Sequence, residues 1–163
     1  MLQEFFINNK TEMVYLARKI AKETQEDLKK IICLSGDLGT GKSFFAQNFI
    51  NYFQDKASKV LSPTFNIVYS YETKIGEIFH FDLYRIKNFQ DLENTGFFDI
   101  IKDSYCLIEW PEIAEDFLKK IPQENIKKIS IESVFENNYT NENNSEKRKV
   151  KIWQYIPSSQ ENK

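Results

Sequence analysis

The stretch Ile31-Ile32-Cys33-Leu34-Ser35-Gly36-Asp37-Leu38-Gly39-Thr40-Gly41-Lys42-Ser43 constrains this chain more than any other. An apolar run breaks into a glycine loop and ends in Lys-Ser, the phosphate-binding pattern G-x-x-x-x-G-K-[ST]. A polyphosphate must be wrapped closely by backbone N–H groups, an approach that side-chain-free turns at Gly36, Gly39 and Gly41 permit. Lys42 then puts a cation on the β- and γ-phosphates, and Ser43 offers a hydroxyl to Mg²⁺. A helix beginning here aims its unpaired N–H groups and positive dipole end at the same anion. Asp37, Leu38, Thr40 and the following Phe44 complete the expected cradle. The run before the loop is β-rich, and Phe44, Phe45, Ala46, Phe49, Ile50 and Phe53 recur after it at helical spacing, so strand, loop and helix come in the required order.

A chain of 163 residues with 41% hydrophobic and 15% aromatic content can build one domain with a substantial core, and a single domain over 1–163 is expected. The 22 Lys+Arg against 24 Asp+Glu leave a formal charge of -2, which gives no bulk electrostatic footprint for nucleic acid. No DNA partner is expected, and any RNA connection is indirect or local. Cys33 and Cys106 fall in apolar strands without a CxxC pair or Cys/His cluster, which predicts neither a disulfide framework nor a zinc site. No apolar run approaches membrane-spanning length, and the N-terminus turns polar at Asn8-Asn9-Lys10, so a cytoplasmic protein without a membrane partner is expected.

Leu2 to Ile7 reads as an edge strand, and a helix from near Thr11 puts Met13, Leu16, Ala17, Ile20 and Ala21 on one face. Pro63 makes Ser62-Pro63-Thr64-Phe65 extended. Asn66 to Glu72 and Glu77 to Tyr84 suggest an antiparallel hairpin, followed by short helices at Asn88–Asn94 and Phe97–Lys102. Tyr105 to Ile108 reads as a buried strand leading into Glu109-Trp110-Pro111, and Ile113, Ala114, Phe117 and Leu118 fit a helix stopped by Pro122. Two final strands, Ile126–Val134 and Lys149–Ile156, flank an Asn/Glu-rich insert that predicts a mobile hairpin tip at 136–148, with a flexible tail from about 157. The expected architecture is an α/β P-loop NTPase fold: a three-layer sandwich whose mixed, mainly parallel central sheet is flanked by helices.

A nucleoside triphosphatase needs an acid at the end of an apolar strand beside the phosphate loop, because Mg²⁺ requires anionic oxygen ligands there. Asp82 and Glu109 both meet that description. Thr64 follows a proline in an extended loop from which its hydroxyl could sense the γ-phosphate, or it is an ordinary turn threonine. Trp110 reads either as a lid over the site or as a core residue. His80, the only histidine, lacks partners for a metal cluster and reads as structural. The nearest match to the guanine-reading [NT]-K-x-D element, Asn9-Lys10-Thr11-Glu12, lies upstream and ends in Glu, which disfavours a GTPase. Small-molecule kinases carry arginine-bearing lids, and the only arginines here are Arg18, Arg85 and Arg148, so kinase is the weaker alternative. A nucleotide-gated binding module without hydrolysis is a third reading.

Four segments taken together resemble the TsaE (YjeE) family: Ser35 to Ser43, Ser62-Pro63-Thr64-Phe65, His80-Phe81-Asp82-Leu83-Tyr84-Arg85, and Ile108-Glu109-Trp110-Pro111-Glu112. Their order and spacing match from about the first strand to Pro122. The resemblance implies a small ATPase, slow alone, that works with TsaD and TsaB in tRNA N6-threonylcarbamoyladenosine synthesis and meets tRNA through that complex. By position it implies that Lys42 and the loop amides hold the phosphates of ATP, that Ser43 and Glu109 are Mg²⁺ ligands, and that Asp82 is the Walker-B-like acid, counted with them among the metal residues. It makes Thr64 a switch residue and puts Trp110 near the nucleotide. Which acid orients the attacking water stays open. Two departures are mild: Thr40 stands where the family usually has Ala, and Ser43 where it usually has Thr.

Overall fold

The computed structural model describes residues 2–27, 30–55, 60–134 and 147–154. Its strands are β1 (Leu2–Ile7), β2 (Ile31–Ser35), β3 (Val68–Thr73), β4 (Gly76–Asp82), β5 (Tyr105–Glu109), β6 (Ile126–Val134) and β7 (Lys147–Gln154). Its α-helices are α1 (Lys10–Asp27), α2 (Lys42–Tyr52), α3 (Phe89–Glu93), α4 (Phe97–Asp103) and α5 (Glu115–Leu118). The strands form one sheet in the order β1-β7-β6-β2-β5-β4-β3. β6, β2, β5 and β4 pair in parallel, while β7 pairs antiparallel with both β6 and β1, and β3 antiparallel with β4. The sheet is therefore mixed, and all described strands but β3 and β7 run the same way.

Burial on both faces explains the near-continuous apolar runs of the central strands. In β2, Ile32 and Leu34 turn toward the layer of α1 and α2, whereas Ile31 and Cys33 turn toward the layer of α3, α4 and α5. α1 buries the face formed by Met13, Leu16, Ala17, Ile20 and Ala21, and α2 buries Phe45, Ala46, Phe49 and Ile50, with Phe53 just beyond it. Each such phenylalanine contributes roughly 1.5–3 kcal/mol by leaving water, and edge contacts such as Phe49–Phe53, centroids 5.5 Å apart, add to it. The result is a three-layer α/β sandwich. Cys33 and Cys106 are free and lie in the second core, where burial pushes each thiol up to about 12.

Local boundaries differ from expectation in instructive ways. α1 begins at Lys10 because the Asn9 side chain accepts from Glu12 N at 2.9 Å, while the Glu12 carboxylate accepts from Asn8 N at 2.8 Å, a reciprocal cap one residue earlier than the apolar pattern suggests. The segment after Pro111 is one turn of 3-10 helix, Pro111–Ala114, before the short α5. β7 starts at Lys147, so the last two residues of the hairpin tip expected at 136–148 are strand; the rest of that tip and the tail from 157 lie outside the described residues. No helix among the described residues is long and apolar enough to cross a membrane.

Candidate functional site

The carboxyl ends of the parallel strands β2, β5 and β4 open onto one spot, where α/β sheets place their ligand sites. At the end of β2 the chain turns away through Gly36, whose φ is 135° and whose place for a Cβ lies 2.1 Å from the carbonyl oxygen of Ile131 on β6. Only glycine fits there. Gly41, φ 109°, is the left-handed N-cap of α2, so the loop enters the helix with its first N–H groups free of any side-chain cap. Thr40 braces the loop: its hydroxyl donates to Asp37 O at 3.0 Å, and its carbonyl accepts from Arg148 Nε at 2.9 Å. The threonine that departs from the usual alanine thus adds a hydrogen bond to the loop.

Lys42 is folded back on that loop. Its ammonium donates to the carbonyls of Gly36 at 2.7 Å and Asp37 at 2.8 Å and lies 3.9 Å from the centroid of the Trp110 ring. Desolvation lowers its pKa from the ordinary lysine value, against the opposing pull of Glu109, Asp82, Glu112 and Asp37. Trp110 is held in the left-handed region, φ 58° and ψ 56°, with its backbone N–H donating to Leu34 O at 3.1 Å. Its ring rests on Tyr84, centroids 5.0 Å apart, and on the edge of the second core. Trp110 thus packs at the edge of a core and lies over the Lys42 ammonium.

Asp82 and Glu109 stand opposite each other in the β4/β5 register, and both are buried. Glu109 Oε2 accepts from the Ser43 hydroxyl at 2.9 Å, and Oε1 bonds His80 Nε2 at 2.8 Å. Asp82 Oδ2 accepts from the Thr64 hydroxyl at 2.5 Å, and Oδ1 accepts from Tyr84 N at 3.1 Å. Thr64 in turn meets the Ser62 hydroxyl at 2.9 Å. A cavity of about 190 Å³ gathers Leu38, Gly39, Gly41, Lys42, Ser43, Phe44, Thr64, Asp82, Glu109 and Trp110 with Tyr84. Gly36, Asp37 and Thr40 do not line it; the first two serve it through carbonyls that hold Lys42, and Thr40 lines the neighbouring cavity.

That neighbouring cavity, about 430 Å³, lies on the other side of Gly39, Thr40 and Gly41 and is bounded by Asn8, Asn9, Lys10, Met13 and Arg148. Sequence reasoning missed these residues. Arg148 comes from β7, and only the register Ile7↔Arg148 brings it beside the end of β1. The donor set in the smaller cavity, a hydroxyl and two carboxylates beside an ammonium, suits Mg²⁺ carried by a phosphate chain, because Mg²⁺ takes few protein oxygens and fills its shell with phosphate and water. No group of three or more His, Cys, Asp or Glu that could hold a metal ion occurs among the described residues.

An apolar parallel strand entering a glycine loop and helix, with two carboxylates at the ends of neighbouring parallel strands, defines the P-loop class of α/β proteins. Within that class, residues 7–146 match the family model "Threonylcarbamoyl adenosine biosynthesis protein TsaE", and the chain belongs to the TsaE family. Three relatives named "tRNA threonylcarbamoyladenosine biosynthesis protein TsaE" bear this out. The one from Rickettsia felis is 37% identical over 69% of this chain and 64% of its own length. That from Rickettsia conorii is 39% identical over 62% and 59%, and that from Rickettsia prowazekii 37% over 69% and 76%. The match thus spans about three-fifths of the first two relatives.

Proposed function

We propose that this chain binds and hydrolyses Mg-ATP as a cytoplasmic subunit of tRNA N6-threonylcarbamoyladenosine synthesis, supporting turnover of TsaD- and TsaB-type partners. The observation that carries the reading is the convergence of Ser43, Glu109, Asp82 and Lys42 on one small cavity at the mouth of the glycine loop. The phosphate chain lies against the loop N–H groups, and Lys42 exchanges the Gly36 and Asp37 carbonyls for phosphate oxygens. Ser43 and Glu109, with Asp82 close by, would hold Mg²⁺, and the ion would supply neutralisation of charge developing on the transferring phosphate. On this reading Asp82 orients a water and accepts its proton, a role supported by its hydrogen bond from Thr64. The larger cavity is the place for the nucleoside, with Asn8, Asn9 and Arg148 as polar groups to read it.

Competition binding of adenine and guanine nucleotides, with and without Mg²⁺, tests this reading. Adenine nucleotides should bind at least as tightly as guanine ones, and Lys42→Ala should lose most of the phosphate-dependent affinity. A clear preference for GTP would sink it.

A further inference from the structure

His80 is the lone histidine of the chain and lies on β4, where alternation puts Ile78, His80 and Asp82 on the face toward α2. It is fully buried, and so is the Glu109 carboxylate it touches. Among the described residues its Nδ1 has no hydrogen-bond partner, and the ring's polar contact there is the one bond from Nε2 to Glu109 Oε1. A carboxylate accepts and cannot donate, so Nε2 carries the hydrogen. Burying an imidazole with one nitrogen unsatisfied costs stability that an apolar side chain would not. A histidine kept in this place on packing grounds alone has no need of that alignment.

The consequence falls on Glu109. One oxygen, Oε1, is tied to His80, and the other, Oε2, is the one that meets Ser43. Mg²⁺ demands a near-ideal octahedron at about 2.0–2.1 Å, whereas Ca²⁺, at about 2.3–2.6 Å, readily takes both oxygens of one carboxylate. We propose that His80 is a positioning residue that makes Glu109 a one-oxygen ligand and thereby sets the preference of the site for Mg²⁺ over Ca²⁺. This rests on the reading of Glu109 as a cation ligand given above. Partners that fix a liganding carboxylate change metal affinity by about 10–100-fold when removed.

The test is binding of a fluorescent, non-hydrolysable adenine nucleotide by the full chain, titrated with Mg²⁺ and separately with Ca²⁺. The unmodified chain should reach half-maximal affinity at a clearly lower Mg²⁺ than Ca²⁺ concentration. His80→Phe keeps the ring volume without the donor; it should raise the Mg²⁺ requirement about 10–100-fold and narrow the gap between the two cations. His80→Gln, whose amide can still donate to Oε1, should restore most of the preference, an effect a packing role would not produce. Thermal unfolding without nucleotide or cation checks that each variant folds. A folded His80→Phe chain with the unmodified Mg²⁺ requirement and cation ratio would overturn the proposal. So would an unmodified chain that uses Ca²⁺ as readily as Mg²⁺, which needs no variant. Nucleotide affinity indifferent to any divalent cation would instead remove the ligand reading, and the proposal with it.

Discussion

At the scale of single residues, Lys42 sets binding against stability. Its ammonium is buried with two carbonyls and an aromatic ring for company, and desolvation lowers its pKa. A lysine with a depressed folded-state pKa burdens the fold where it is charged in both states, that is at neutral pH. Between the folded and unfolded pKa values the unfolded chain binds more protons, so stability rises with pH and the burden fades toward about 10.4. Lys42→Met should therefore unfold in urea no earlier than the unmodified chain at pH 7, with any advantage shrinking at pH 9.5, while its phosphate-dependent affinity is lost. A variant clearly less stable at pH 7 would show that the two carbonyl bonds outweigh desolvation. The position of Lys42 at the mouth of the glycine loop is legible in sequence because the motif is local. Its resting partners are not, since they depend on loop carbonyls and on Trp110, which arrives from the far end of β5.

Among elements, legibility follows the range of the interactions. β2, its loop and α2 can be read directly, because alternation, glycine placement and helical spacing all act within a few residues. The same holds for the β3/β4 hairpin at its Thr73–Gly76 turn. The parallel register that brings Asp82 opposite Glu109, and the strand order that puts Arg148 beside Asn8, are long-range and leave no local mark. At the β5 terminus the backbone departs from what propensity favours: a left-handed tryptophan costs about 1–2 kcal/mol, offset in part by its contact with the Lys42 ammonium, a type worth about 0.5–2 kcal/mol. If Lys42 leaves for a phosphate, that offset goes and the indole changes surroundings. In a Trp153→Phe background Trp110 is the sole tryptophan. Its fluorescence should change in intensity or wavelength on saturation with Mg²⁺ and adenine nucleotide. Unchanged emission at proven saturation would show that Lys42 and Trp110 stay together.

For the whole molecule, the distribution of arginine bears on how fast the proposed hydrolysis should run in the isolated chain. No arginine lines the cavity that holds Lys42, Asp82 and Glu109. Arg85 stacks on the exposed Phe65 ring, 4.6 Å from its centroid, and Arg148 is bonded to Thr40 O on the other side of the loop. On the proposed reading, charge on a transferring phosphate would be met by Mg²⁺, Lys42 and the loop amides with no arginine among them, so isolated hydrolysis should be slow. An arginine supplied in trans accelerates such reactions by about 10³–10⁵-fold in well-studied NTPases. The segment from Ser62 to Ile67 has features expected of one that responds to a partner: Phe65 is 80% exposed, Ile67 is held at φ 67°, and Thr64, which precedes both, bonds Asp82. Steady-state phosphate release should therefore rise steeply when TsaD- and TsaB-type partners are added. Thr64→Ala should blunt that rise more than it weakens nucleotide binding, because it cuts the link between the outer loop and Asp82 and leaves the glycine loop intact. Stimulation would then be lost at unchanged nucleotide affinity. An isolated chain already at full rate, indifferent to partners, would refute the coupling even if it hydrolysed ATP.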